Sequence, residues 1–324
     1  MIEILSTGAV NTVQDLGRRG YLDVGVGRSG TMDAPALEVA NRLAGNEPGA
    51  AGIEVALFPF RVKFHADTVF AVTGANCPVT LNGQTLPSWW AAEAKSGDTL
   101  TIGLPSAGAR VTLAFRGGID LPEVLGSRAT DLKSGFGGLE GRGLNRGDRL
   151  TLGPFSAAPL RIKGGYGVDP AVLTAPVAGY PGICLRVMPS AEHDVFTDDA
   201  RQAFYGTGWT VTNEANRMGY RLSGPGLALT RKLELFSHGI MPGTIQVPPS
   251  GQPIIQLAEA NTCGGYPKIA NIIEADLWRM AQVPVGAEIR FVPVSLDAAI
   301  EALRQQRAVL TEIAKMSALM LKLT

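Results

Sequence analysis

Short apolar runs, each closed by turn-forming residues, fill the first half of this chain and restrict it to strands and hairpins. The runs are residues 68–75, 78–83, 98–103 and 110–120. Their length and their valine, leucine and threonine content are typical of strands in a meander or barrel. Asn82 and Gly83 form a favoured hairpin turn. The chain also holds 40 glycines and 21 prolines, and this composition favours many short strands over long helices.

Two helices interrupt this pattern. In the first, Asp33 can cap the opening turn, Pro35 suits that turn and Gly45 ends the helix. Near the C-terminus, Ser295 can cap a second helix. Its apolar residues fall on one face: Leu296, Ile300, Leu303, Leu310, Ile313, Met316 and Met320. We expect this stripe to pack on its own lobe, with a contact to a partner as the alternative.

A pattern of a glycine turn followed by an alternating strand recurs at 94–103, 144–153 and 283–292, and it predicts two similar β lobes. Residues 153–180, rich in Ala, Pro and Gly, are interpreted as the connection, with a new strand beginning at Cys184. The predicted domains are an N-terminal β lobe, residues 1–160, and a C-terminal β lobe with the C-terminal helix, residues 161–324.

The balance of charge and cysteine narrows the possible partners. With 29 basic and 29 acidic residues the formal net charge is +0, so attraction to nucleic acid or to an anionic membrane is not expected. The three cysteines lie far apart without a C-x-x-C pair, which argues against disulfides and against a cysteine zinc site. The chain begins without the features of a signal peptide and has no run of 18 apolar residues. We therefore expect a cytoplasmic protein.

The common motifs for nucleotide, nucleophile, metal and biotin sites are incomplete or absent. Residues 25–30, GVGRSG, satisfy a dinucleotide-binding pattern but lack the preceding strand, and no P-loop motif is present. No nucleophile-elbow or zinc-protease motif occurs either. The three histidines are isolated in sequence and are interpreted as structural or surface residues, so no metal site is predicted. Lys315 lies inside the predicted C-terminal helix, so we expect no covalent biotin on this chain.

Two polar segments, 213–222 and 241–266, carry the strongest indication of a ligand site. Their polar side chains include Asn216, Arg217, Arg221, Gln246, Ser250, Gln252, Asn261 and Thr262. Such side chains on a backbone rich in Gly and Pro are typical of loops that converge on a ligand. The alternative is a set of well-made turns.

An ordered series of motifs runs from about residue 3 to 300. The motifs are residues 12–21, 25–46, Glu54 within 52–57, 134–148, 216–225, 237–254 and 262–270. Together they resemble a family that includes the second carboxyltransferase lobe pair of urea amidolyase, allophanate hydrolase subunit 2, the KipA proteins and the C subunits of bacterial ATP-dependent 5-oxoprolinases, and the last branch is the most similar. Ala215, Glu259 and Cys263 depart from the usual family pattern, which puts the exact substrate in doubt.

The resemblance implies a mainly β fold of two cyclophilin-like β-barrel lobes with a few short helices and a C-terminal helix. It implies a heteromer with the B subunit of a 5-oxoprolinase, which would activate 5-oxoproline, plausibly by phosphorylation, for ring opening to L-glutamate by the A subunit. ATP with Mg²⁺ is then expected, bound by this chain or jointly with the partner, and the chain alone is expected to be inactive. The alternatives are a carboxyltransferase component that uses biotin on a separate carrier and a KipA-like regulatory binding protein.

The same resemblance and the residue types together nominate site residues. The predicted catalytic residues are Arg142, Asn216, Arg217 and Gln252. The predicted substrate-binding residues are Asp15, Glu54, Glu140, Arg221, Gln246, Ser250, Thr262 and Tyr266. Gly137, Gly138, Gly264 and Gly265 are predicted to present N–H groups to an anion, because successive backbone donors can form a nest. Arginine can fork onto phosphate or carboxylate. A buried Arg217 that ties loops together, and glycines that only make tight turns, are the alternatives.

We further expect Arg142, Asn216, Gln252 and Tyr266 to line one groove between the two lobes, because clefts between lobes are common ligand sites.

Overall fold

The computed structural model describes residues 1–155, 160, 164–177, 179–180 and 182–322. By its packing contacts the chain divides into two compact units. Unit 1 consists of Met1–Arg18, Ser29–Leu173 and Arg307–Thr324, and unit 2 consists of Arg19–Arg28 and Thr174–Gln306. One of the four boundaries between the units falls between Leu173 and Thr174. The domain boundary at 160/161 stays a prediction, and residues 161–163 lie outside the described part of the chain.

Unit 1 is built from antiparallel strands. They are β1 (Ile2–Ser6), β2 (Thr12–Gln14), β3 (Gly52–Val55), β4 (Phe60–Phe64), β5 (Thr68–Asn76), β6 (Val79–Leu81), β7 (Gln84–Leu86), β8 (Trp90–Ala94), β9 (Thr99–Ile102), β10 (Ala107–Phe115), β11 (Arg149–Leu150) and β12 (Tyr166–Gly167). They form two six-stranded sheets, ordered β11-β1-β4-β9-β6-β7 and β12-β8-β5-β10-β3-β2. Both sheets contribute to one hydrophobic core.

The core of unit 1 follows from alternation along its strands. In β4, Phe60, Val62 and Phe64 are buried while the intervening Arg61 and Lys63 are not, as expected for a strand with one face on a core. The predicted strands before residue 104 correspond to β5, β6 and β9. The fourth predicted strand, 110–120, corresponds to β10, which begins three residues earlier and ends at Phe115. It ends there because Gly117 and Gly118, both with positive φ, turn the chain.

The strands of unit 2 form a closed barrel and a separate ribbon. They are β13 (Ile183–Pro189), β14 (Trp209–Val211), β15 (Gly219–Ser223), β16 (His238–Gly239), β17 (Thr244–Gln246), β18 (Ile254–Gln256), β19 (Cys263–Gly264), β20 (Lys268–Ile272) and β21 (Glu288–Pro293). The barrel order is β13-β20-β17-β18-β15-β14-β21, and β16 pairs with β19. Trp209, Phe204 and Phe291 are buried in this unit, with the two phenylalanine rings stacked 4.5 Å apart.

The helices are α1 (Ala34–Ala44), α2 (Ala171–Thr174), α3 (Asp198–Gly206), α4 (Leu277–Ala281) and α5 (Leu296–Lys322). The Asp33 side chain accepts a hydrogen bond from the Ala36 N–H at 2.9 Å, and Gly45 closes α1 with a φ of 87°. These features confirm the predicted helix. A mainly β fold with a closed barrel, few helices and a C-terminal helix is confirmed as well. No helix in the described residues is both long and apolar enough to cross a membrane.

The predicted connection 153–180 is only partly a connection. Residues 156–159, 161–163 and 178 lie outside the described residues. Among the others, β12 pairs with β8 in unit 1, and the Tyr166 hydroxyl donates to the Leu43 carbonyl at 2.6 Å. The prediction of a strand beginning at Cys184 is confirmed to within one residue by β13.

The predicted apolar stripe of α5 is partly wrong. Leu296, Ile300 and Met316 are exposed, whereas Ala302 and Ser317 are buried. The buried face includes small residues, which a count of large apolar side chains does not detect. Ala302 belongs to a buried cluster with Ile273 in unit 2, while Ile313 belongs to a cluster with residues of α1 in unit 1. The helix therefore does not pack only on the C-terminal lobe, as the sequence had suggested.

A buried lysine and a half-exposed histidine form the candidate functional site

Lys268, the first residue of β20, is a buried cation. It is 4% exposed, although lysine is rarely buried. Its Nζ lies 2.5 Å from Nε2 of His238. Burial lowers the pKa of Lys268 below the ordinary lysine value, and the nearby Glu192 carboxylate offsets this effect only in part. A perturbed lysine with a specific partner is the kind of group that proton-transfer sites use.

His238 is held in one tautomer by the backbone. Its Nδ1 lies 3.1 Å from the carbonyl oxygen of Phe236. A carbonyl can only accept, so Nδ1 carries the hydrogen and Nε2 keeps a lone pair for Lys268. The His238 side chain is 41% exposed. The imidazole thus connects the buried ammonium group with solvent.

Glu192 supplies the negative charge of the site. Its Oε2 accepts the Lys268 backbone N–H at 3.0 Å, which places the carboxylate at the start of β20. Its Oε1 lies 3.5 Å from Nε2 of His238. A proton that moves from Lys268 to His238 would therefore produce an imidazolium that faces a carboxylate, which stabilises the charge.

Gln246 adds a buried amide beside the lysine. It ends β17 and is the register partner of Lys268 on β20, so the two side chains are cross-strand neighbours. Gln246 is 4% exposed, and its Oε1 accepts from Nε2 of Gln256 at 3.0 Å. A Cβ atom placed on Gly264 would lie 2.9 Å from Nε2 of Gln246. The same position lies 2.6 Å from the Ile240 side chain, so the chain packs too closely against Gln246 and Ile240 for any side chain at residue 264.

Two exposed aromatic residues flank the β16–β19 ribbon. His238 pairs with Gly264 in that ribbon, and Phe236 and Tyr266 each lie two residues away from this pair along the chain. Both rings are exposed. A Cβ placed on Gly265 would lie 2.9 Å from the Leu235 carbonyl oxygen, so the two chain segments also approach closely at this end. Glycine at 265 is explained by this approach, and its anion-binding role stays a prediction.

The cluster combines an amine, an amide and an imidazole that can donate or exchange protons. Lys268 offers a proton, Gln246 offers an amide N–H, and His238 provides a route for proton exchange. In the described residues, no three His, Cys, Asp or Glu side chains come together as a group that could hold a metal ion.

Two other predicted site residues of unit 2, Asn216 and Gln252, stabilise turns. The Asn216 Oδ1 accepts from the Met218 N–H at 2.8 Å, and both amide ends of Gln252 bond the backbone of Gly224. These turns lie at opposite ends of β15. Arg221 is exposed and pairs with Glu214 at 2.7 Å. Their catalytic and substrate-binding roles stay predictions.

Arg217 is buried in an ion pair. Its Nε donates to Oε1 of Glu259 at 2.6 Å, and both side chains are buried. The Glu259 N–H also bonds the Arg217 carbonyl at 2.9 Å. This geometry favours the alternative in which Arg217 ties two loops together, while its catalytic role stays a prediction. Glu259, one of the departures from the family pattern, is thereby explained as the partner of Arg217.

Ser250 and Thr262 are less constrained. The Ser250 hydroxyl accepts from the Gln252 N–H at 3.4 Å, which is a long hydrogen bond. The Thr262 carbonyl accepts from the Ile240 N–H at 2.9 Å and so extends the ribbon. The substrate-binding roles of both residues stay predictions.

In unit 1, the predicted acids are used by the fold. Asp15 accepts from the Ser127 hydroxyl at 2.7 Å and from the Arg128 N–H at 2.6 Å. Glu54 accepts from the Met32 N–H at 2.7 Å and lies 3.6 Å from Nε of Arg110. Both carboxylates are buried, so these bonds offset their desolvation.

Gly137 and Gly138 are needed for close packing. A Cβ on Gly137 would meet the Ala129 carbonyl oxygen at 2.3 Å, and one on Gly138 would meet the Thr130 hydroxyl at 1.9 Å. Both residues also have positive φ. These contacts and φ values explain why glycine is needed in tight turns at both positions. Their anion-binding role stays a prediction.

Arg142 lies in a small ionic network. It makes two hydrogen bonds to Asp148, at 2.7 and 3.1 Å, and one to Glu140 at 3.1 Å. Burial would raise the pKa of Asp148, but the hydrogen bonds from Arg142 and from the Asn145 N–H outweigh it, so this pKa lies below the ordinary value. The groove that would join Arg142 to residues of unit 2 stays a prediction.

We expect Arg142→Ala to lower the free energy of unfolding by about 1 kcal/mol at neutral pH, since the pair is only partly buried. The stabilisation comes from a carboxylate whose folded pKa is depressed. It should therefore be complete above the ordinary aspartate pKa of 3.8 and be lost as the pH falls through the lower folded value. Urea denaturation at several pH values measures this. An unchanged stability with lost activity would instead support the catalytic role.

The sequence interpretation missed Lys268 and His238. The lysine stands alone in an apolar run, PKIANII, and the histidine lies 30 residues away. The available signal was a charged residue at the first position of a strand that is otherwise buried. Only the ribbon and the barrel pairing bring the two side chains together.

Comparison with known proteins supports the resemblance found in the motifs. Residues 24–293 match the family described as carboxyltransferase domain, subdomain A and B. The chain is 41% identical over 314 residues to the C subunit of the 5-oxoprolinase of Escherichia coli (strain K12), covering 97% of this chain and 98% of that protein. It is 38% identical over 313 residues to the corresponding 5-oxoprolinase component of Haemophilus influenzae, covering 97% of each.

Larger proteins contain a similar segment. The crystal structure of the K. lactis urea amidolyase superposes with a TM-score of 0.87 at 31% identity, covering 96% of this chain and 20% of that one. The chain thus spans about a fifth of that protein. Since the family match extends over most of the chain and full-length relatives exceed 30% identity, the chain belongs to the carboxyltransferase domain family, subdomain A and B.

Proposed function

We propose that this chain is the C subunit of an ATP-dependent 5-oxoprolinase, in which it works with the B subunit to activate 5-oxoproline for ring opening to L-glutamate by the A subunit. The observation that carries the proposal is the 41% identity across nearly the full length of both this chain and the E. coli protein. The cluster around Lys268 supports it, because a lysine whose pKa is lowered by burial, with a histidine beside it, suits proton transfer with a small amide.

The residues of this chain have defined roles in the proposal. A lactam is a poor electrophile, and its activation at oxygen makes the ring N–H acidic. Lys268, in its neutral form, accepts that proton: the ring N–H bond breaks, its electron pair stays on nitrogen, and the proton is bound by Nζ. Lys268 then passes a proton to Nε2 of His238, which is 2.5 Å away. General acid–base catalysis of this kind contributes roughly 10²- to 10⁴-fold.

The nucleotide is proposed to bind jointly with the B subunit. The described residues contain no group of three or more His, Cys, Asp or Glu side chains that could hold a metal ion, and the glycines at 137 and 138 pack against neighbouring side chains and backbone. Mg²⁺ with a nucleotide needs only one or two carboxylates besides the phosphates, so a site shared between this chain and the B subunit fits the proposal. No step of the proposal is therefore assigned to nucleotide contacts here.

Coexpression with the partner proteins tests the proposed function. We expect the chain to copurify with the B subunit, and the three assembled components to hydrolyse ATP only when 5-oxoproline is present. The chain alone should show no turnover. Purified chain that converts 5-oxoproline unaided would contradict the heteromer, and a B–C complex without any effect of 5-oxoproline on ATP turnover would favour a regulatory, KipA-like binding protein.

A second candidate function is a carboxyltransferase component that uses biotin on a separate carrier. The specific observation in its favour is the similarity to urea amidolyase, 35% identity over 322 residues to the Lachancea kluyveri protein. In that case a biotinylated carrier with bicarbonate and ATP should lead to carboxylation of urea or another amide. The oxoprolinase proposal expects no requirement for biotin, so avidin should leave the ATP turnover unchanged.

A further inference from the structure

The β16–β19 ribbon has one face that packs on its own unit and one face that is open. Side chains alternate along a strand, and Ile240 is buried while His238 bonds Lys268. Gly239, which lies between them, is exposed, and a Cβ placed on it would meet nothing within 4 Å. Its register partner Cys263 is exposed too. The ribbon therefore has free space in front of its outer face.

Three large apolar side chains are exposed on the two segments that form the ribbon. Phe236 is 96% exposed, Met241 is 55% exposed and Tyr266 is 48% exposed. Together with the two residues of the outer face they are named the ribbon surface: Phe236, Gly239, Met241, Cys263 and Tyr266.

The apolar area of the ribbon surface is large enough for the centre of an interface. Aromatic side chains bury roughly 150–250 Å² each and methionine is of similar size, so the exposed parts of Phe236, Met241 and Tyr266 amount to about 400 Å². A standard interface takes about 800 Å² from each partner, and its central part is the apolar part. The ribbon surface would thus supply about half of such an interface, with polar residues around it.

The electrostatics of the ribbon define the chemistry of the partner. Residues 236–243 and 261–267 contain no Asp, Glu, Lys or Arg. A nucleic acid or an anionic membrane would gain no charge attraction here. The surface therefore matches an apolar, uncharged patch on another protein, because interface centres are depleted of charge and enriched in aromatic residues and methionine.

The neighbouring site indicates which protein this is. His238 lies within the ribbon and bonds Lys268, the proposed proton acceptor of the lactam. In the proposed function, a nucleotide bound jointly with the B subunit activates the same lactam, so the B subunit has to reach the substrate beside the ribbon. A second copy of this chain on the ribbon surface would block that approach.

We propose that the ribbon surface is the docking surface for the B subunit, with the Phe236 ring as the anchor that enters an apolar pocket of that partner. This inference rests on the proposed function and names the surface through which the heteromer forms. The His238 side chain is 41% exposed in the chain alone. Docking would cover it and exclude water from the proton-transfer site, so assembly would complete the site.

Cys263 allows the contact to be mapped in the unmodified chain. Cys77 and Cys184 are buried, and burial raises the pKa of the Cys77 thiol to about 11. N-ethylmaleimide should therefore label the folded chain at Cys263, which peptide mass mapping checks. Saturating B subunit should slow this labelling at least roughly tenfold, because groups at the centre of an interface are shielded from solvent.

A second thiol provides the matched control. Leu104 in unit 1 is 76% exposed, and Leu104→Cys combined with Cys263→Ser moves the only exposed thiol away from the ribbon. This variant should be labelled at the same rate with and without the B subunit.

Phe236→Ala tests the anchor by affinity. We expect the Kd for the B subunit to rise at least roughly tenfold, as for other aromatic anchors, and Phe236→Leu to recover part of the affinity. The thermal midpoint of the chain alone should not change, since the ring is almost fully exposed. Leu104→Ala should change neither quantity. Added salt should have little effect on the wild-type Kd, because the surface carries no charge.

The outcomes separate the docking surface from the proposed function. A complex in which Cys263 is labelled at its free rate, or a Phe236→Ala variant with wild-type affinity, overturns the surface and leaves the function standing. Protection of Cys263 in an assembly without ATP turnover dependent on 5-oxoproline supports the surface and overturns the function. A chain that does not bind the B subunit overturns both. A chain that forms a dimer which Phe236→Ala dissociates assigns the surface to a second copy and overturns the proposal.

Discussion

Lys268→Met should reduce kcat/KM of the assembled oxoprolinase by at least ~100-fold, because it removes the proposed proton acceptor of the lactam N–H. Methionine has a similar length and no charge, so it fills the same space. The fold should survive, since Glu192 keeps the backbone N–H of residue 268 and His238 as partners, so no buried charge is left unpaired. The measurement is steady-state ATP turnover dependent on 5-oxoproline, alongside the thermal midpoint.

The pH profile adds a readout that a structural role would not change. Burial lowers the pKa of Lys268, so the wild-type kcat/KM should rise with pH through a group that ionises below the ordinary lysine value. This limb should be absent in Lys268→Met. Lys232→Met, at an exposed lysine of unit 2 that pairs with Glu234, is the matched control and should retain the wild-type profile. Activity within about fivefold of wild type in a folded Lys268→Met variant would rule out the assigned role, since general acid–base catalysis is worth more than this.

Arg217→Ala should lower the free energy of unfolding by about 3–5 kcal/mol, since it leaves the buried Glu259 carboxylate without the guanidinium charge that faces it. Charged groups are costly to bury, and their cost appears in full when one partner of the pair is removed. Urea denaturation at neutral pH measures the loss, with thermal unfolding as a second probe.

Two further variants sharpen this prediction. Arg221→Ala, which removes an exposed ion pair with Glu214 nearby in sequence, should cost no more than about 1 kcal/mol. Arg217→Met combined with Glu259→Gln should recover much of the loss, because no charge is then left buried. If Arg217→Ala instead keeps its stability but loses turnover, the loop-tying interpretation is wrong and the predicted catalytic role of Arg217 gains support.

The local sequence determined the helix ends and strands that depend on residues close to one another in the chain. Asp33 and Gly45 bound α1 because capping and a left-handed glycine act within a few residues. The strands of unit 1 follow from alternation between core and solvent, as in β4. The family motifs also indicated the mainly β fold and the family itself, since an ordered series of motifs over nearly the full chain is specific.

Tertiary structure decided which side chains meet. Lys268 and His238 are 30 residues apart, and only the pairing of β16 with β19 beside β20 and β17 makes them a bonded pair. Arg217 and Glu259 become partners across 42 residues in the same way. The buried face of α5 depends on small residues such as Ala302 and Ser317, whose burial reflects the surface against which the helix packs. Polar residue types in sequence indicate that a site exists, but burial and long-range contacts decide whether each one supports the fold or faces a ligand.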